Sequence, residues 1–145
     1  MEWRRFGELP PPLLYRILRF RQAVFVVEQN CAYPDLDGLD MPACHLLLRV
    51  ESDLAGYLRL VPPAEPGACV RIGRVAVAPA RRRRGLARLM MAEALRLAAE
   101  AYPGYGTLVS AQAYLAPFYA GLGFLPVCEP YDDFAVPHID MRRPP

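Results

Sequence analysis

Apolar and polar positions along the chain alternate in a way that predicts short strands interleaved with helices. A strand of about residues 2–6 opens the chain and runs into a proline triplet. Pro12 suits the first turn of a helix, where a missing N–H costs nothing, and the pattern carries that helix to about Val27. A polar, turn-rich stretch, EQNCAYPDLDGLDMPA, follows. CHLLLRVE and DLAGYLRLV then read as two strands joined at Ser52-Asp53. After the Pro/Gly-rich loop VPPAEPGA comes a third strand, VRIGRVAVA. Gly73 interrupts its alternation, and a glycine inside a strand marks a bulge or a close backbone approach. Residues 85–101 carry the clearest helical period: Leu86, Ala87, Met90, Met91, Ala94, Leu97, Ala98 and Ala101 share one face, while Arg88, Glu93, Arg96 and Glu100 share the other. Pro103 and Gly104 end it. TLVSAQA reads as a strand, LAPFYAGLG as a short helix with Pro117 in its first turn, and FLPV and HIDM as closing strands. No repeat or linker divides the chain, so the pattern predicts one α+β domain around a single sheet.

Composition narrows the function. The chain has 145 residues, enough for one self-sufficient core. Its 54% hydrophobic and 22% charged content fits a globular fold. All 17 basic residues are arginine, yet the net charge is only +2. A dedicated nucleic-acid binder would show a clearer basic excess, so no nucleic-acid partner is expected. No apolar run is long enough for a membrane span. The opening MEWRRFGELPPPL lacks the apolar stretch of a signal peptide, so a cytoplasmic location is expected. Cys31, Cys44, Cys69 and Cys128 form no C-x-x-C pair and show no ligand spacing. They are expected to be reduced and mostly buried, with no metal site.

The junction VAVAPARRRRGLARLM, residues 75–90, holds the candidate chemistry. A strand ends at Val77, Pro79 blocks further pairing, and a helix begins near Gly85. The first turn of that helix offers N–H groups without intrahelical partners and the positive end of the helix dipole. Gly85 has no side chain and Ala87 a small one, so a phosphate could approach the backbone closely. Arg82, Arg83, Arg84 and Arg88 would surround it with positive charge. The competing readings of the arginines are a nucleic-acid patch and a solvated surface.

Arg82-x-x-Gly85-x-Ala87 resembles the R/Q-x-x-G-x-G/A signature of the GNAT superfamily of N-acetyltransferases. AQAYLAPFYAGLGF, residues 111–124, resembles that family's A-x-x-F-Y-x-x-x-G-F motif, at the expected separation of one helix, one turn and one strand. RQAVFVVEQNCAYPDLDGLDMPACHLL, residues 21–47, and the terminal PHIDM are similar to the ElaA-type branch. The resemblance covers roughly residues 3–142. The chain departs from the family in having Arg83 where glycine is frequent and Gln112 where many members have asparagine.

The resemblance implies a single-domain GNAT acyltransferase fold: a mixed, mostly antiparallel twisted sheet flanked by helices. It implies acetyl-CoA as cosubstrate and direct acetyl transfer to a small-molecule or peptide amine within a ternary complex. Val75, Ala76 and Val77 would lie beside the pantetheine arm, with Val75 polarising the thioester carbonyl. Arg82 to Arg88, including Leu86, would hold the diphosphate, and Gln112 would border the arm. Tyr119 would be the general acid at the coenzyme sulfur. Glu28, His45 and His138 are candidate bases, Glu28 because it closes the first helix where acceptor loops start. Gln29, Asp37, His45, Arg74 and His138 are expected on the acceptor side. The acidic runs Asp35, Asp37, Asp40 and Asp132, Asp133 would favour a cationic amine if they face that site, and would otherwise be solvated loops. Tyr33, Tyr131 and Phe134 are candidate wall aromatics. A monomer or homodimer is expected. The alternative of another class is a non-catalytic acyl-CoA-binding sensor.

Overall fold

The computed structural model of the chain describes residues 1–145. Its sheet comprises β1 (Glu2–Arg5), β2 (Cys44–Val50), β3 (Asp53–Val61), β4 (Val70–Val77), β5 (Thr107–Gln112), β6 (Leu125–Pro126), β7 (Tyr131–Asp133) and β8 (Val136–Arg143). Three helices accompany it: α1 (Pro11–Arg21), α2 (Leu86–Ala101) and α3 (Ala116–Ala120). The strands are ordered β1-β2-β3-β4-β5-β8-β6, with β7 also on β8. Every pairing is antiparallel except β4 with β5. This is the expected mixed, mostly antiparallel α+β fold. The first helix differs in its second half: α-helix ends at Arg21, and Gln22–Glu28 winds as a π-helix. The β2–β3 turn falls on Glu51-Ser52, one residue earlier than expected, because Asp53 pairs with Val50. The hairpin strand β7 carries too few apolar residues to have registered as a strand.

The period of two in β2 explains the layering. Leu46 and Leu48 turn to one face and join Met90, Met91 and Ala94 of α2 in the main core. Leu47 turns to the other and meets Tyr57, Leu9 and Ile17 under α1. Both faces are covered, so the strand reads as a continuous apolar run rather than a clean alternation. Gly56 lets α2 sit this close: a Cβ there would lie 2.7 Å from Met90 Sδ. Of the four cysteines, all free, only Cys31 is buried and Cys128 is exposed, so the expectation of mostly buried thiols fails. No helix is long and apolar enough to cross a membrane.

Candidate active site

β4 and β5 pair only at Val70–Thr107 and Arg71–Leu108, then separate. Two restraints force them apart. β5 is held to β8 along its whole length, from Thr107–Arg143 to Gln112–His138. β4 carries a bulge: its register against β3 shifts between Tyr57 and Arg59, and Arg74 takes a left-handed φ of 54°. A bulge bends and twists its strand. Gly73 marks the place in sequence, but the left-handed residue is its neighbour. The wedge between the strands opens into a cavity of about 760 Å³. Ala78 N–H bonds the Ala55 carbonyl on β3, so the alternation along a strand turns the main chain of Val77, and of Val75 before it, toward the wedge.

The cavity continues to the start of α2. Arg83 and Gly85 have left-handed φ values of 61° and 75°. The first helical bond runs from Leu89 N–H to the Gly85 carbonyl, and the N–H groups from Arg83 to Arg88 have no acceptor within the chain. A Cβ at Gly85 would meet nothing within 4 Å, so the approach to these amides is open. Consecutive amides in this conformation form an anion-binding concavity at the positive end of a helix. The arrangement fits a diphosphate. Arg81, Arg82, Arg83 and Arg88 line the same cavity. Arg88 is anchored by its bond to the Gly121 carbonyl, at 3.2 Å, and by the Phe118 ring.

Tyr119, on α3, lines the cavity although only 6% exposed. Phe118 and Phe124 pack edge-on against its ring. Burial pushes its phenol up to about 12, so it stays protonated and able to donate. Beyond it, Gln112 donates to Gln29 at 2.8 Å. His138 lies opposite Gln112 on β8 and lines the cavity. Its Nδ1 sits 2.8 Å from the Val136 carbonyl. A carbonyl only accepts, so Nδ1 carries the proton and Nε2 of the neutral ring keeps a lone pair.

The family model described as an acetyltransferase (GNAT) domain matches residues 27–144. The chain belongs to the GNAT acyltransferase family. A UPF0039 protein of Synechocystis is 40% identical over 99% of this chain and 95% of its own length. The crystal structure of Escherichia coli ElaA is 38% identical, with a TM-score of 0.91 and 98% of each chain covered. That of an acyl-CoA N-acyltransferase from Pseudomonas aeruginosa is also 38% identical, with a TM-score of 0.89 over 98% of each chain. The ElaA-type resemblance in the sequence therefore holds over the full fold.

Several residues of this GNAT chain lie elsewhere than the sequence implied. Arg84 is exposed and outside the cavity lining, unlike its neighbours. Glu28 lines the cavity, but its carboxylate takes two bonds from the Arg82 guanidinium, at 2.6 and 2.8 Å. Those bonds hold its pKa below the usual carboxylate range. A carboxylate so engaged is a poor base. His45 is 1% exposed and off the cavity. Its Nε2 donates to the Asp40 carbonyl at 2.9 Å, and its Nδ1 accepts from the Tyr57 hydroxyl at 2.7 Å. With both nitrogens occupied and burial pushing its pKa down, it is a neutral structural residue.

Asp37 is also off the cavity, as are Asp35 and Asp40, and the acidic run is tied up in ion pairs rather than left free. Arg21 bonds Asp35 at 2.9 Å and Asp40 at 2.6 Å. Arg59 pairs with Asp37 and, at 2.8 Å, with Asp40. Arg74 reaches Asp35 at 2.7 Å and Asp37 at 3.2 Å. Three guanidiniums from α1, β3 and the β4 bulge thus tie the loop between the π-helix and β2 to the sheet. Arg74 does line the cavity, as do Gln29 and His138. Tyr33 and Phe134 line it too, whereas Tyr131 stacks outside on His138. Ser110 is a lining residue that no motif announced, and Phe25, inside the motif stretch 21–47, lines the cavity although the sequence assigned it no role.

Proposed function

We propose that the protein is an acetyl-CoA-dependent N-acetyltransferase that acts in the cytoplasm on a primary amine of a small molecule or peptide. The observation that carries the reading is the continuity of the β4–β5 wedge with the acceptor-free amides of Arg83 to Arg88. A strand-like pantetheine arm fits the first, and a diphosphate fits the second. Val75 and the Val77 N–H present main-chain groups along the wedge, the Val77 carbonyl being taken by Arg82, and the Val75 N–H is the proposed donor to the thioester oxygen. His138 Nε2, directly or through water, takes the proton that the attacking amine loses. The amine nitrogen bonds the acetyl carbon, the carbon–sulfur bond breaks, and the Tyr119 hydroxyl protonates the departing thiolate. The free lone pair of His138 and the engagement of both rival groups favour it as the base.

Calorimetry with acetyl-CoA, with free CoA as competitor, tests the coenzyme site. Micromolar, competable binding is expected, and no binding would remove the reading. Thiol release across a panel of amines then tests transfer. Binding without release for any amine would make the protein a coenzyme-binding sensor instead.

A further inference from the structure

The acceptor end of the cavity has three features that together select a chemical class of amine. Its walls are aromatic: Phe25 from the π-helix, Tyr33 from the loop behind it, and Phe134 from the β7–β8 turn. The Tyr33 and Phe134 rings stand 6.0 Å apart, tilted by 54°. Tyr33 is fixed on two sides, by a 3.0 Å bond from its hydroxyl to Asp35 Oδ1 and by the Arg74 guanidinium 5.2 Å from its ring centre. It is a pre-positioned wall rather than a mobile side chain.

Phe134 is held against backbone preference. Asp133 pairs with Val136, leaving Phe134 and Ala135 as the two turn residues, with φ of 51° and 62°. Such a turn suits Asn-Gly, and a left-handed aromatic residue is disfavoured. Ala135 N–H bonds Asp132 Oδ1 at 2.8 Å, and Cys31 Sγ–H reaches the Phe134 carbonyl at 3.5 Å. These contacts keep a ring that is 54% exposed over the cavity mouth. The cost of that conformation points to a use for the ring.

The charge balance is the third feature. Asp35, Asp37 and Asp40 are neutralised by Arg21, Arg59 and Arg74, and Glu28 by Arg82. The lining carboxylate without an ion pair is that of Asp133. Asp132 beside it is also without an ion pair but lies outside the lining, so one cation can be drawn to the mouth while a second ammonium would find no unpaired anion along the cavity walls.

We infer that the acceptor is a monoamine with an aromatic or similarly bulky apolar body, seated against the wall formed by Phe25, Tyr33 and Phe134, with Asp133 at the entrance. This rests on the acyl-transfer reading above. The test compares 2-phenylethylamine, propylamine and spermidine as acceptors at saturating acetyl-CoA. The kcat/KM for 2-phenylethylamine should exceed both others by about tenfold or more, the scale set by burying an aromatic ring. Phe134→Ala should raise KM for 2-phenylethylamine about tenfold more than KM for propylamine. Calorimetry of the same amines into the CoA-saturated protein reads affinity without turnover and should give the same order. Preference for spermidine, or an equal loss for every amine in the variant, would overturn the inference while leaving acyl transfer intact. Failure of the protein to bind CoA would overturn both.

Discussion

Tyr119 shows how much one side chain's surroundings decide. The FY pair in the sequence marks it, but its protonation state comes from burial between Phe118 and Phe124, which raises its pKa to about 12. Tyr119→Phe keeps the packing and removes the donor, so turnover should fall by about a hundredfold or more with coenzyme affinity unchanged. Unchanged turnover in a thiol-release assay would take Tyr119 out of the chemistry. The raised value also means that Tyr119 loses no proton at moderately alkaline pH. Its ionisation should cause no fall in rate below about pH 10. At the same scale, the sequence could not rank Glu28, His45 and His138. Their difference lies in Arg82, Tyr57 and the Asp40 and Val136 carbonyls, partners that are set by folding.

At the scale of elements, the run of four arginines turns out to be secondary to the backbone they precede. Arg82 is spent on Glu28 and the Val77 carbonyl, and Arg84 faces solvent. The amides at the start of α2 remain the proposed anion site, and their alignment depends on the left-handed turn at Gly85. Gly85→Ala adds a side chain at φ 75° and should cost about 1 kcal/mol, lowering Tm by roughly 3 °C. Coenzyme affinity should fall with it, because the amides lose their alignment. Thermal melts with and without CoA check both effects, and a full stabilisation by CoA in the variant would contradict the assignment. The junction was legible because strand, turn and helix start are adjacent in the chain. The wedge it opens into was not: it needs β5 paired to β8 and a bulge in β4, both of which depend on distant partners.

Across the whole molecule, the arginine–aspartate network joins α1, the loop between the π-helix and β2, β3 and β4. Arg21→Ala would leave the buried Asp35 and Asp40 with one guanidinium each, Arg74 and Arg59, and should cost about 3 kcal/mol in denaturant unfolding, the low end for breaking a buried ion pair. Burial works against charge on Asp37, but the bonds from Arg59 and the Leu39 N–H outweigh it and lower its pKa to about 2. Asp40 is lowered in the same way by Arg21 and Arg59. A carboxylate depressed by folding adds stability above its unfolded value and loses it as pH falls through the folded one. Stability should therefore decline between about pH 4 and pH 2. Asp37→Asn should flatten that limb in acid titrations followed by circular dichroism. By itself, the sequence determined the order of elements, the family and the helix start that suits a diphosphate, because each is written in residues that are close along the chain. Tertiary structure alone decided which charges are neutralised, which histidine keeps a free lone pair and which rings line the cavity. Those properties belong to pairs such as Arg21–Asp40, Gln29–Gln112 and Tyr33–Phe134, whose separation in sequence leaves no local pattern.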